Sequence, residues 1–166
     1  MAAKHTLILL ILTVFTAAAS NELPVDAVVE PAFVDALQAD PTLLHDGGAK
    51  VVETHNQRYF IAVGVTSAGS DSPQEKLRQI RVGRIQAIKA TAEFVQQTRI
   101  KAQEKFTEES TVSRADGRKN GTSTKIFEES TLTQIEALLK VPPQIGSWKS
   151  SDGQLFFYAI GTELRQ

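Results

Sequence analysis

The chain has 166 residues, of which 42% are hydrophobic and 22% are charged, with no cysteine and a formal net charge of −1. A chain of this length forms one domain with a core of its own. The lack of cysteine excludes disulfides, thiolate metal sites and thiol catalysis, and the near-neutral charge provides no field that attracts nucleic acid.

The first twenty residues have the pattern of a secretory signal peptide. Lys4 precedes an apolar run over 7–16, and the small residues Ala17 to Ser20 precede Asn21. The apolar run is shorter than the roughly 20 residues that span a bilayer. We therefore expect 1–20 to be removed and the mature protein to be periplasmic or secreted, with no transmembrane segment.

Residues 21–50 are expected to form an N-terminal arm. Pro24, Pro31 and Pro41 interrupt this stretch, a short helix is predicted from Pro31 to Gln38, and the pair Gly47-Gly48 ends it. The α+β domain proper is assigned to 51–166.

The first clear strand is predicted at 58–65. Tyr59, Ile61 and Val63 alternate with the smaller Ala62 and Gly64, which is the period-two pattern of a strand that is covered on its larger face. Val51 and Val52 precede it as a hairpin partner.

A long helix follows. Ser72 is its expected N-cap, Pro73 stands at the first helical position, and Glu75 completes a capping box. Apolar residues at helical spacing predict about 28 helical residues, and we expect Phe94 and Val95 to lie in the core. The predicted buried stripe is Leu77, Ile80, Ala87, Ile88, Thr91, Phe94, Val95 and Thr98.

Beyond the helix the pattern becomes extended. Phe106–Val112 and Thr122–Leu132 flank turn residues at 116–121, which predicts a polar hairpin. A second hairpin is predicted from 145–149 and 155–160 around Asp152-Gly153. The predicted fold is therefore α+β, an antiparallel sheet packed on one long helix in a β-α-β-β-β type order, with an N-terminal arm.

This order of motifs resembles a known group of proteins. The strand 59–65, the helix with Ala87, Ala90 and Ala92, and Trp148 before an aromatic strand are similar to the 20-kilodalton outer-membrane lipoproteins and the flagellar outer-membrane-associated assembly proteins. The resemblance covers about residues 57 to 162. It implies a non-enzymatic envelope component that acts through protein contacts and carries over no catalytic residue.

The helix carries a candidate contact surface. Four basic residues share one flank at 100° per residue, and Arg84 lies within the apolar stripe. Such residues are either solvated or paired within the fold, or they dock an acidic partner. The flank residues are Arg78, Arg81, Lys89 and Arg99.

The polar hairpin carries four acidic residues that would meet across it. They form either a solvated ribbon, a Ca²⁺ site, or the partner surface for the basic flank of a second copy. Self-association of this last kind would be salt-sensitive and would give a homo-oligomer. The acidic residues are Glu108, Glu109, Glu128 and Glu129.

No catalytic motif is found. His45 and His55 have no standard metal-ligand spacing, and no nucleophile elbow, phosphate loop or dinucleotide fingerprint occurs. We expect no metal, no cofactor and no enzymatic activity. The predicted function is an exported, non-enzymatic envelope structural or assembly protein, and the alternative is a small-ligand or Ca²⁺-binding periplasmic module.

Overall fold

The computed structural model describes residues 22–116 and 140–164, and it describes side chains through residue 104 of the long helix. It shows an antiparallel five-stranded sheet with a long helix on one face, which confirms the α+β class. The helices are α1 (Pro31–Ala39), α2 (Pro41–His45) and α3 (Pro73–Asp116). The strands are β1 (Val28–Val29), β2 (Gly48–Thr54), β3 (Gln57–Ser67), β4 (Gln144–Lys149) and β5 (Leu155–Leu164).

The strand order is β1-β4-β5-β3-β2, and every neighbouring pair is antiparallel. The two longest strands, β3 and β5, pair over ten residues from Arg58↔Leu164 to Ser67↔Leu155. The β2–β3 hairpin turns at His55 and Asn56, which both have positive φ. Both hairpins therefore join at the centre of the sheet through the β3–β5 pair.

One face of the sheet is covered by residues that precede the first hairpin. Tyr59, Ile61 and Val63 of β3 point to this face, as the alternation predicted, and α1 and α2 pack on them. Trp148 stacks on Phe157 with ring centroids 5.4 Å apart, and its indole nitrogen donates to the Leu44 carbonyl oxygen at 3.3 Å. The region expected to be an arm therefore supplies core residues, among them Phe33, Ala36, Leu37, Leu43 and Leu44.

The link between α1 and α2 is fixed by Asp40. Its carboxylate caps α2 by accepting from the backbone nitrogens of Thr42 and Leu43, and it pairs with Lys50 Nζ at 2.7 Å. Burial raises the pKa of Asp40, but these hydrogen bonds and the charge of Lys50 outweigh it, so its pKa lies below the ordinary 3.8. The cap therefore ties α2 to β2.

The other face of the sheet carries the long helix. It packs on the smaller β3 residues, and a Cβ added to Gly64 would overlap the Gly83 carbonyl oxygen and lie 2.5 Å from the Ala87 nitrogen. Only glycine allows the two backbones to approach this closely. Phe60 and Phe94 flank the crossing with ring centroids 5.3 Å apart.

The helix is longer than predicted. It begins as expected, with the Glu75 nitrogen donating to Ser72 Oγ at 3.3 Å, but it continues to Asp116 and includes Phe106–Val112. The prediction of a strand there was wrong. Residues 99–116 contain neither glycine nor proline and are rich in Lys, Glu, Gln and Ala, so the first strong helix breaker is Gly117.

Candidate functional site

The buried face of α3 follows the predicted stripe from Ala87 onward, but the first turns of the helix differ from it. Leu77 is 54% exposed and Ile80 39% exposed, whereas Gln79 is 2% exposed. The buried line runs through Gln79, Gly83, Ala87, Thr91 and Val95, at four-residue steps. The close Gly64–Gly83 approach sets this rotation of the helix, because the small residues must face the sheet. Val95 is buried, as predicted, and Phe94 packs partly buried against the same cluster.

The opposite face of α3 is a continuous exposed line. Its members recur every three or four residues and contain no carboxylate. Arg78, Arg81 and Lys89 of the predicted flank surround Ile85, which is 64% exposed. The fourth flank residue, Arg99, lies two turns beyond Ala92. The line is Arg78, Arg81, Ile85, Lys89, Ala92, Gln96, Arg99 and Gln103.

Two residues of the predicted basic flank are neutralised locally. The Arg78 guanidinium donates to Glu75 at 2.8 Å, and this contact holds the pKa of Glu75 below its ordinary value and raises that of Arg78. Lys89 Nζ lies 3.8 Å from Glu93 Oε1, one turn away. Both pairs lie within α3, so these side chains bring little uncompensated charge to a partner.

Arg81, Arg84 and Arg99 differ from those two. All three are exposed, and none makes an ion pair with the side chains described in 22–104 and 140–164. Arg84 was predicted to lie inside the buried stripe, but the helix rotation places it in solvent. The three guanidiniums give α3 a positive surface, and each can donate several hydrogen bonds to a partner.

A groove of about 270 Å³ lies between α3 and the start of β4. Val95, Pro142 and Ile160 are buried at its base, and Ile88 and the half-exposed Val141 face each other across it. Thr91 also lines the groove, but its hydroxyl donates to the Ala87 carbonyl oxygen within the helix at 2.9 Å. The lining is therefore almost entirely apolar. Ala92, Gln96 and Arg99 complete it and join it to the exposed line.

The β4 side of the groove is held firmly to the sheet. The Gly161 nitrogen donates to the Pro143 carbonyl oxygen at 3.0 Å, and the Tyr158 hydroxyl donates to Gln144 Oε1 at 3.1 Å. Two consecutive prolines also restrict the backbone here. Because both walls are fixed, the groove is a preformed feature of the fold.

The predicted acidic residues are not brought together in the described chain. Glu108 and Glu109 lie on α3 as part of its helical backbone rather than on a strand. Glu128 and Glu129 lie outside the described residues. The helix at Glu108 and Glu109 contradicts the first strand of the predicted hairpin, and the Ca²⁺ site stays a prediction.

The histidines of the described chain lie apart from this groove. His55 Nδ1 is 3.6 Å from the Asp35 carboxylate at the surface, and His45 closes α2. Among the side chains described in 22–104 and 140–164 there is no group of three or more that could ligate a metal ion. The helices of 22–116 and 140–164 include none with the length and apolar character that a bilayer crossing requires.

Comparison with known protein families, with curated proteins and with solved structures returns no match to this chain. The resemblance to outer-membrane lipoproteins and flagellar assembly proteins therefore stays a prediction. The candidate site rests on the geometry of α3 and its groove.

Sequence reasoning located the basic flank but missed the groove. The groove needs Val141 and Pro142 to lie beside Ile88 and Val95, about 50 residues away in sequence, and no local pattern encodes that contact. One signal was available: Ala62, Gly64, Gly83 and Ala87 are all small, and small residues on a strand and a helix mark a close helix–sheet approach.

Proposed function

We propose that this protein is an exported, non-enzymatic component of the cell envelope that acts through protein contacts made by α3. The observation that carries the proposal is the mixture of exposed apolar and unpaired cationic side chains on one helix. Export is inferred from the signal-like pattern of residues 1–20.

The distribution of exposed apolar residues supports this contact role. Eight large hydrophobic side chains of the described chain are exposed; four are on α3, and Val141 faces that helix across the groove. Scattered exposed hydrophobics are common on protein surfaces, but several on one element mark an interaction surface. The four on α3 are Leu77, Ile80, Ile85 and Ile100.

The charges set the kind of partner. Arg81, Arg84 and Arg99 are exposed and have no described carboxylate partner, so an acidic surface could form charge-assisted hydrogen bonds with all three guanidiniums. The partner is an acidic envelope protein or a second copy of the chain. Contacts of this type weaken with salt, since exposed charges are screened over about 8 Å at physiological ionic strength.

Site-specific photocrosslinking in the producing cell tests this proposal. A photoreactive amino acid at Ile85 should give protein adducts, whereas the same residue at Glu163, an exposed position of β5 on the opposite face, should give few. Charge reversal at Arg81 and Arg84 should reduce the Ile85 adducts. Equal adduct yields from Ile85 and Glu163 would contradict a contact surface on α3.

Export is tested separately. The mature protein should begin near Asn21 and be recovered from the periplasm or the medium. An intact Met1 on protein from the membrane or cytoplasmic fraction, established by N-terminal sequencing, would contradict the export part of the proposal.

A second candidate function is a small-ligand module, and the apolar groove is the observation that favours it. Its volume of about 270 Å³ is just below the roughly 300–1,000 Å³ of drug-sized ligand pockets. Native mass spectrometry of the purified protein tests this function. A stoichiometric bound small molecule would support it, and a bare mass would count against it.

A further inference from the structure

We propose that the groove between α3 and the start of β4 receives the apolar face of an acidic amphipathic helix from a partner protein. This inference rests on the proposed function and deepens it, because it names the site on α3 and the chemistry of the partner segment.

The lining of the groove suits the apolar side chains of a docked segment. It comes from α3, from the residues before β4 and from β5, and Val95, Pro142 and Ile160 are its buried apolar members. A volume of about 270 Å³ is enough for two or three aliphatic side chains of a docked segment. Helix-in-groove recognition uses such anchors at steps of three and four residues.

The ends of the groove supply the charge complementarity. Arg99 lines one end, and Arg84 stands one turn before Ile88 beyond the other. These two arginines are separated by about 22 Å along the helix, at 1.5 Å per residue. Neither has a described ion partner, and no carboxylate lines the groove between them. A bound helix with an acidic residue near each end would satisfy both guanidiniums.

The rigidity of the walls favours a docking site. The hydrogen bond from Gly161 to Pro143 and the two prolines fix the β4 side, and the Gly64–Gly83 contact fixes the helix side. A preformed groove avoids the ordering cost that weakens binding to mobile surfaces.

The test uses a synthetic peptide as the probe and the purified mature chain as the receptor. The probe is an amphipathic helix of about 18 residues, with leucines on one face and glutamates about 22 Å apart. Two matched probes replace the glutamates by lysines or the leucines by serines. Fluorescence anisotropy should show binding of the first probe only.

Three variants locate the binding. Ala92→Trp fills the groove from an exposed position and should abolish binding without a change in melting temperature. Arg84→Glu with Arg99→Glu should weaken binding about tenfold or more. Lys101→Glu removes an exposed cation of α3 that does not line the groove, and this variant should bind like the wild type.

An alkyl diazirine residue, no larger than the glutamine it replaces, at the groove-lining position Gln96 identifies the occupant. Cross-links to the acidic probe support the proposal. Cross-links to residues 117–139 of the same chain, cross-links to a second copy, or a probe affinity unchanged by Ala92→Trp would overturn it. In each of these cases α3 could still contact a partner outside the groove, and the cellular adducts from Ile85 would then persist. Failure of the groove assignment is therefore distinguishable from failure of the proposed function.

Discussion

The two faces of the sheet are built differently. The face under α1 and α2 is sealed by large side chains such as Leu37, Leu43 and Trp148, each at most 3% exposed. The face under α3 also buries large side chains such as Phe60 and Ile160, but the closest helix–sheet contact there is made by glycine, and a groove lies beside the helix. The close backbone contact anchors α3 and leaves much of the helix surface in solvent. The first face supports stability, and the second leaves a surface for contacts.

The most severe test of the α3 face is Gly64→Ala. The added Cβ would overlap backbone atoms of α3, which cannot move aside as a side-chain end can. We expect the free energy of unfolding, measured with urea, to fall by about 3 kcal/mol or more, which is the upper end of the typical cost of overpacking. Gly69→Ala is the matched control, because the nearest atoms to its added Cβ belong to the flexible side chain of Glu75 and not to backbone. Equal stability of the two variants would show that the close approach does not anchor the helix.

The sealed face is tested by Leu37→Ala. Leu37 is fully buried on α1, so truncation should cost about 2 to 5 kcal/mol of unfolding free energy. Phe94→Ala is the comparison on the α3 face. Phe94 is only partly buried, and we expect its loss to be smaller, about 2 kcal/mol. A larger loss at Phe94 than at Leu37 would reverse the assignment of the two faces.

A smaller effect is expected at Asp40, and it should depend on pH. Because the pKa of Asp40 is lowered in the folded protein, its charge contributes stability above about pH 4 that is lost as pH falls through the lowered pKa. Asp40→Asn keeps an N-cap residue but removes the pair with Lys50, which is 44% exposed. We expect the variant to be less stable by about 1 kcal/mol or less at pH 7 and to match the wild type at pH 2. A constant difference in chemical denaturation across this range would exclude the ionised carboxylate as the cause.

Local patterns predicted much of this fold. The alternation at 58–65 and the aromatic run at 155–160 gave β3 and β5, and Ser72 marked the start of α3. The end of α3 was predicted too early, because polar, β-type residues such as Thr107 and Thr111 suggested a strand. The absence of a helix breaker in residues 99–116 explains why the helix continues.

The rotation of α3 could not be predicted from hydrophobicity. A stripe drawn through Leu77 and Ile80 follows the largest apolar residues, but the tertiary contact between Gly64 and Gly83 decides which residues face the sheet. The basic flank was found because charge spacing along a helix is a local property. The groove was not found, because one of its walls comes from the other end of the chain.

Leu77 and Ile85 are exposed for contact and do not belong to the core, and one paired measurement on a Leu77→Ser, Ile85→Ser variant tests this assignment. These side chains are 54% and 64% exposed, so the free energy of unfolding should change by no more than about 0.5 kcal/mol each. Cellular cross-links from a photoreactive residue at Arg81, one turn from both positions, should fall sharply in the same variant. A loss of more than about 2 kcal/mol in stability would place these residues in the core. An unchanged yield of cross-links would show that Leu77 and Ile85 do not contribute to the contact with the partner.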